Sequence, residues 1–125
     1  MTEAKEHEQL AEYIKMQYPK VMFNSDMSGI KLTIGQAVKA AKLRSNDKFP
    51  DLVIYERRMG YSGLFIELKK SGEVLHKKNG ELKTEHLKEQ DRTLRRLYEM
   101  GFMAVFAIGF DAAKKIIDSY LNNIL

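Results

Sequence analysis

PDLVIYERRMGYSGLFIELKK, residues 50–70, decides how this chain is read. It holds two β-rich runs, DLVIYE (51–56) and LFIELK (64–69), around RRMGYSG (57–63), which has the composition of a turn. The second run alternates: Leu64, Ile66 and Leu68 point to one face, Phe65, Glu67 and Lys69 to the other. Glu67 and Lys69 thus share a face with an aromatic ring, so that face is not simply solvent. If the two runs pair as a hairpin, Asp51 comes close to both. Two carboxylates and an ammonium then converge at one end of a sheet.

Upstream, residues 3–18 have helical spacing at Leu10, Tyr13, Ile14 and Gln17, and Pro19 stops the helix. Val21 to Phe23 reads as a short strand and 25–29 as a turn. Residues 35–45 have alanine-rich helical composition, with Ala37, Val38, Ala41 and Leu43 on one side. Downstream, 70–83 is polar, with a turn at Asn79-Gly80. Thr84 caps a helix over 85–100 with an apolar stripe of Leu87, Leu94, Leu97 and Tyr98, and Gly101 ends it. FMAVFAI (102–108) reads as a strand buried on both faces. Residues 111–125 close the chain as a helix with Ile116, Ile117, Tyr120, Leu121 and Ile124 inward. Helices interleaved with a mixed sheet define an α/β class.

Residues 1–125 are read as a single domain, long enough for one hydrophobic core. A 44% apolar and 30% charged composition is that of an ordinary globular protein. The absence of cysteine removes disulfides, thiolate metal sites and cysteine nucleophiles. Met103 to Phe110, the longest uncharged apolar run, is far short of a membrane span, and the acidic start TEAKEHEQ is no targeting signal. The reading is a cytoplasmic protein with no membrane partner. Of the net charge of +4, residues 69–96 carry nine Lys/Arg against five Asp/Glu, and the flanking segments cancel. That local excess is a modest footprint for phosphate, although a solvated charged surface has the same composition.

The residue types at 51, 67 and 69 have a chemical reason. Carboxylate oxygens suit Mg²⁺, which favours octahedral oxygen coordination and keeps several waters. Such an ion acidifies water and neutralises charge building on a phosphate, and a neighbouring lysine stabilises the same developing charge. The plain alternative is a surface aspartate and a Glu-Lys pair on an exposed strand. Glu-Leu-Lys alone is a weak signal. The whole pattern, Pro-Asp opening an apolar run, a turn, then apolar-Glu-apolar-Lys, is stronger. Gln90 adds to it, lying three after Leu87 and four before Leu94 on a stripe where leucine is the default. A buried amide there needs partners, whereas a glutamine at the stripe's edge does not.

Pro50-Asp51, Glu67-Leu68-Lys69 and Gln90 together resemble the PD-(D/E)XK nuclease fold, and more narrowly its virus-type replication-repair branch, VRR-NUC. The resemblance runs over roughly residues 3–121 in matching order. It implies a Mg²⁺-dependent DNA endonuclease, with Mn²⁺ as a substitute, acting in replication, repair or recombination. Asp51, Glu67 and the Leu68 backbone carbonyl would hold the metal, with Lys69 and Gln90 catalytic. It also implies a homodimer acting on branched, Holliday-junction-like DNA.

The resemblance also implies an N-terminal glutamate in the same set. Glu3 and Glu6 both fall on the face centred on Leu10, while Glu8 points away. The family's distance from this acid to Tyr18-Pro19 favours Glu3 and the local Glu-His wording favours Glu6, so both are carried. Whichever is not used has a plain role as a helix-start acid. Lys70, Lys77, Lys78, Arg92, Lys42 and Arg44 are the candidates for nucleic-acid contact. Ser28-Gly29 offers either a close backbone approach to DNA or a plain turn. His7, His76 and His86 lack metal spacing with one another and read as surface residues. A non-catalytic DNA-binding module on the same fold, and a protein-interaction domain, are the competing functions.

Overall fold

The computed structural model describes residues 2–25, 33–43, 45 and 49–124. Its elements in chain order are α1 (Glu3–Gln17), β1 (Phe23–Ser25), α2 (Ile34–Lys42), β2 (Leu52–Ile54), β3 (Leu64–Lys69), α3 (Glu85–Glu99), β4 (Met103–Ile108) and α4 (Gly109–Leu121). The sheet has four strands in the order β1-β2-β3-β4. β1 and β3 run antiparallel to β2, and β4 runs parallel to β3. The α/β class and the mixed sheet are as the sequence implied.

The hairpin forms around a two-residue turn. Arg58 and Tyr61 exchange backbone hydrogen bonds of 3.1 and 2.8 Å. Between them Met59 (φ 50°) and Gly60 (φ 85°) both take left-handed backbone, the geometry whose twist matches that of paired strands. In the resulting register Leu52 faces Ile66 and Ile54 faces Leu64. Carried on by one residue, it sets Asp51 across from Glu67.

The two sheet faces have different partners. Leu64, Ile66 and Leu68 are fully buried with Leu52, Ile54 and Ala107 against Leu10 and Ile14 of α1 and Ala113, Ile117, Tyr120 and Leu121 of α4. The opposite face lies under α3, where a groove of about 440 Å³ lined by Leu94, Tyr98, Ala104 and Phe106 remains open. Asp118 of α4 clamps α1 to this frame by accepting from Tyr13 Oη at 2.5 Å and Tyr18 Oη at 2.7 Å.

Several expectations need correction. β4 is an edge strand, half-buried from Met103 to Phe106, buried at Ala107 and exposed at Ile108, not enclosed on both faces, because α3 covers it only in part. α2 has a Thr33 capping box but buries none of its residues, so Ala37, Val38, Ala41 and Leu43 lie exposed. Tyr98 is 54% exposed and packs against Tyr61 at 6.1 Å between ring centroids. Ile124 lies beyond α4 and is exposed. β1 begins at Phe23, not Val21, and extends to Ser25. Positions 26–29 of the expected turn, with Ser28-Gly29, fall outside the described residues. No helix among the described residues is long and apolar enough to cross a membrane.

Gly109, at the β4–α4 junction, has φ 86°, and a Cβ there would stand 2.5 Å from Ser71 Oγ. Ser71 in turn donates from its hydroxyl and its backbone N–H to Glu6, which is 1% exposed. Gly109→Ala therefore strains the backbone and displaces the serine that holds α1 against the end of β3. It should cost about 1–3 kcal/mol of stability. Urea unfolding checks this, and an unchanged midpoint would show that the junction tolerates a side chain.

Candidate active site

Three elements meet at the C-terminal end of β3. Asp51, at the entry to β2, is buried, and its Oδ2 accepts the Leu68 backbone N–H at 3.2 Å. Glu67 is 5% exposed, in hydrogen-bond contact with Asp51, and its Oε1 accepts from Gln90 Nε2 of α3 at 2.6 Å. Lys69 is half-buried on the same face, close enough for its ammonium to favour the ionised forms of both Glu67 and Glu3. From α1, Glu3 and His7 reach the same place. One donor atom each from Glu3, His7 and Asp51 lie within 4.8 Å of one another.

The electrostatics are those of a site with too much negative charge for its dryness. Burial, then the neighbouring Asp51, pushes the Glu67 carboxyl from its ordinary 4.5 up to about 9. Burial and the acid beside it thus favour a proton shared within the Asp51–Glu67 pair well above the usual carboxylate range. Burial and Asp51 also raise Glu3, against the opposing pull of Lys69 and His7. Two buried polar atoms have no hydrogen-bond partner among the described residues, His7 Nε2 and Gln90 Oε1. Crowded carboxylates with unsatisfied donor atoms beside them fit a divalent cation, whose charge would replace the shared proton.

Among solved structures the chain is similar to a VRR_NUC domain protein, with 24% sequence identity and a TM-score of 0.69, over 98% of this chain and 89% of that one. No family model and no curated protein matches it. This chain has the VRR-NUC fold.

Within that fold the predicted residues separate into those brought together and those left apart. Asp51, Glu67, Lys69, Gln90 and Glu3 converge. Glu6, the other N-terminal candidate, is spent on Ser71 and does not join the cluster. Leu68 sends its side chain into the core and its N–H to Asp51. Lys70, Lys77, Lys78, Arg92 and Lys42 are all exposed, and Arg44 falls outside the described residues.

His7 was missed. It is not a surface residue: its side chain is 11% exposed, its Nε2 lies 3.7 Å from Asp51 Oδ2, and its Nδ1 lies 3.1 Å from Ser25 Oγ of β1. The signal was present in the helical spacing, since His7 is four after Glu3 and three before Leu10. A search for histidines spaced from one another passes over a histidine spaced from a carboxylate. His76 and His86 are exposed, as expected.

The raised Glu67 gives stability a definite pH dependence. A group that holds its proton more tightly when folded contributes fully at low pH, below its unfolded value. That contribution declines as pH rises towards about 9. Glu3 adds in the same direction. In chelator, the melting temperature should fall between about pH 6 and about pH 8.5, and Glu67→Gln, neutral throughout, should flatten the fall and be the more stable at the upper end. Parallel wild-type and variant curves would mean that Glu67 is ionised in the metal-free protein.

Proposed function

We propose that residues 1–125 form one nuclease domain, a Mg²⁺-dependent endonuclease that hydrolyses phosphodiester bonds in DNA. The observation that carries this reading is the contact between the Asp51 and Glu67 carboxyls beside Lys69. It is a buried acid pair with a raised pKa and a cation alongside, on a fold shared with a VRR_NUC domain protein. Asp51, Glu67, Glu3 and the Leu68 carbonyl would hold a divalent ion, which would supply neutralisation of phosphate charge and acidification of water.

The chain's own residues do the rest. Asp51 accepts the Leu68 N–H, which holds its carboxylate in one orientation beside the cluster. Gln90 holds Glu67 in place through Nε2, while its Oε1, without a partner among the described residues, is available to accept a hydrogen bond from the attacking water. Lys69 presents its ammonium to the charge that develops on the phosphate oxygens. The exposed Lys70, Lys77, Lys78, Arg92 and Lys42 would track the backbone, with Arg44 joining them. Preference for branched DNA, a role in repair or recombination, homodimerisation and a cytoplasmic setting rest on the resemblance to VRR-NUC domains. Mn²⁺ is the natural substitute for Mg²⁺.

The test is cleavage of labelled four-way, flapped and linear DNA in Mg²⁺. Wild type should cut and chelator should stop it. Asp51→Asn and Lys69→Met should each lose about 100-fold or more in rate while still binding DNA. Binding without cleavage by wild type would instead mark a DNA-binding module. Absence of salt-sensitive binding would point to a protein-interaction role.

A further inference from the structure

We infer that His7 is a nitrogen ligand of this cation site, which makes it a mixed nitrogen–oxygen site that favours Mn²⁺ over Mg²⁺. The inference rests on the cation site of the proposed nuclease and assigns it a donor outside the carboxylate, carbonyl and lysine set.

The geometry begins with α1. Glu3 and His7 are one turn apart on one helix face, and the buried Leu10 and Ile14 hold that face against the sheet. His7 Nδ1 meets Ser25 Oγ at 3.1 Å. With the proton on Nδ1 donated to that hydroxyl, Nε2 carries the lone pair, the arrangement in which an outer partner orients a ligating imidazole. Nε2 is itself buried and has no hydrogen-bond partner among the described residues. It looks across 3.7 Å at Asp51 Oδ2. A direct charge-assisted hydrogen bond would close to about 2.7–2.9 Å. Ligand atoms each about 2.0–2.2 Å from a shared ion stand roughly 3–4 Å apart, which matches the observed gap. Glu3 supplies the third donor within the same 4.8 Å limit.

The donor type sets the preference. Mg²⁺ dehydrates reluctantly and takes oxygen, whereas first-row transition ions accept imidazole readily. An imidazole in the set therefore adds affinity for Mn²⁺ that it does not add for Mg²⁺.

The decisive measurement is pulsed paramagnetic resonance on the full chain loaded with Mn²⁺, in which a directly bound imidazole shows as nitrogen hyperfine coupling. Wild type should show it and His7→Gln should lose it. Calorimetric titrations should show the Mn²⁺-to-Mg²⁺ affinity ratio falling about tenfold in His7→Gln. Bound Mn²⁺ without nitrogen coupling in wild type would overturn the role of His7 and leave the nuclease reading standing. The wild-type spectrum needs no variant to fold. Failure of wild type to bind either ion, in a protein whose circular dichroism shows it folded, would remove both.

Discussion

The burial of two carboxyl groups against each other is the constraint around which the rest of the chain is arranged. β2 and β3 pair in a register that sets Asp51 opposite Glu67, and the core residues on the other face of β3 prevent that register from slipping. A one-residue shift would exchange Leu64, Ile66 and Leu68 with Phe65, Glu67 and Lys69, and so bury charges in the apolar layer. The hydrophobic core thus holds the acid pair together against its own repulsion. Burial first, and then the neighbouring Asp51, raises the Glu67 pKa, and that crowding of acids in a dry place suits a cation.

Helices on both sides of the sheet complete the arrangement. α3 delivers Gln90 to Glu67 from one face, and its start is fixed because Thr84 accepts the Leu87 N–H. α1 delivers Glu3 and His7 from the other side, and its placement depends on two anchors of different kinds. Asp118 takes the hydroxyls of Tyr13 and Tyr18, and Ser71 donates to the buried Glu6. The two N-terminal glutamates therefore divide their labour: Glu6 positions the helix and Glu3 reaches the cluster. Gly109 belongs to the same construction, since only a residue without a side chain leaves room for Ser71.

The peripheral surface is less committed. The half-buried edge strand β4 and the exposed α2 keep apolar residues at the surface, while the basic residues stand out into solvent. The acidic cluster does not draw on these regions. The arrangement separates a rigid centre, built from strands and packed helices, from a surface that contacts of any kind can shape.

What the sequence alone determined follows from periodicity and from residue chemistry. β3 was legible at its observed bounds because alternation at a spacing of two has no other reading. α3 was legible from Thr84 onward because a cap and an apolar stripe agree. Gln90 was legible as a candidate because an amide stands where leucine was due, and Asp51, Glu67 and Lys69 through their spacing on two paired runs and the resemblance that pattern carries. Tertiary structure alone decided the rest, because periodicity reports which face of an element is apolar and not whether anything covers it. For that reason α2, β4 and Tyr98 differ from expectation. The separation of Glu3 from Glu6, and the entry of His7 into the cluster, depended on contacts with Ser71, Ser25 and Asp51, up to 65 residues distant in sequence. No local pattern encodes such contacts.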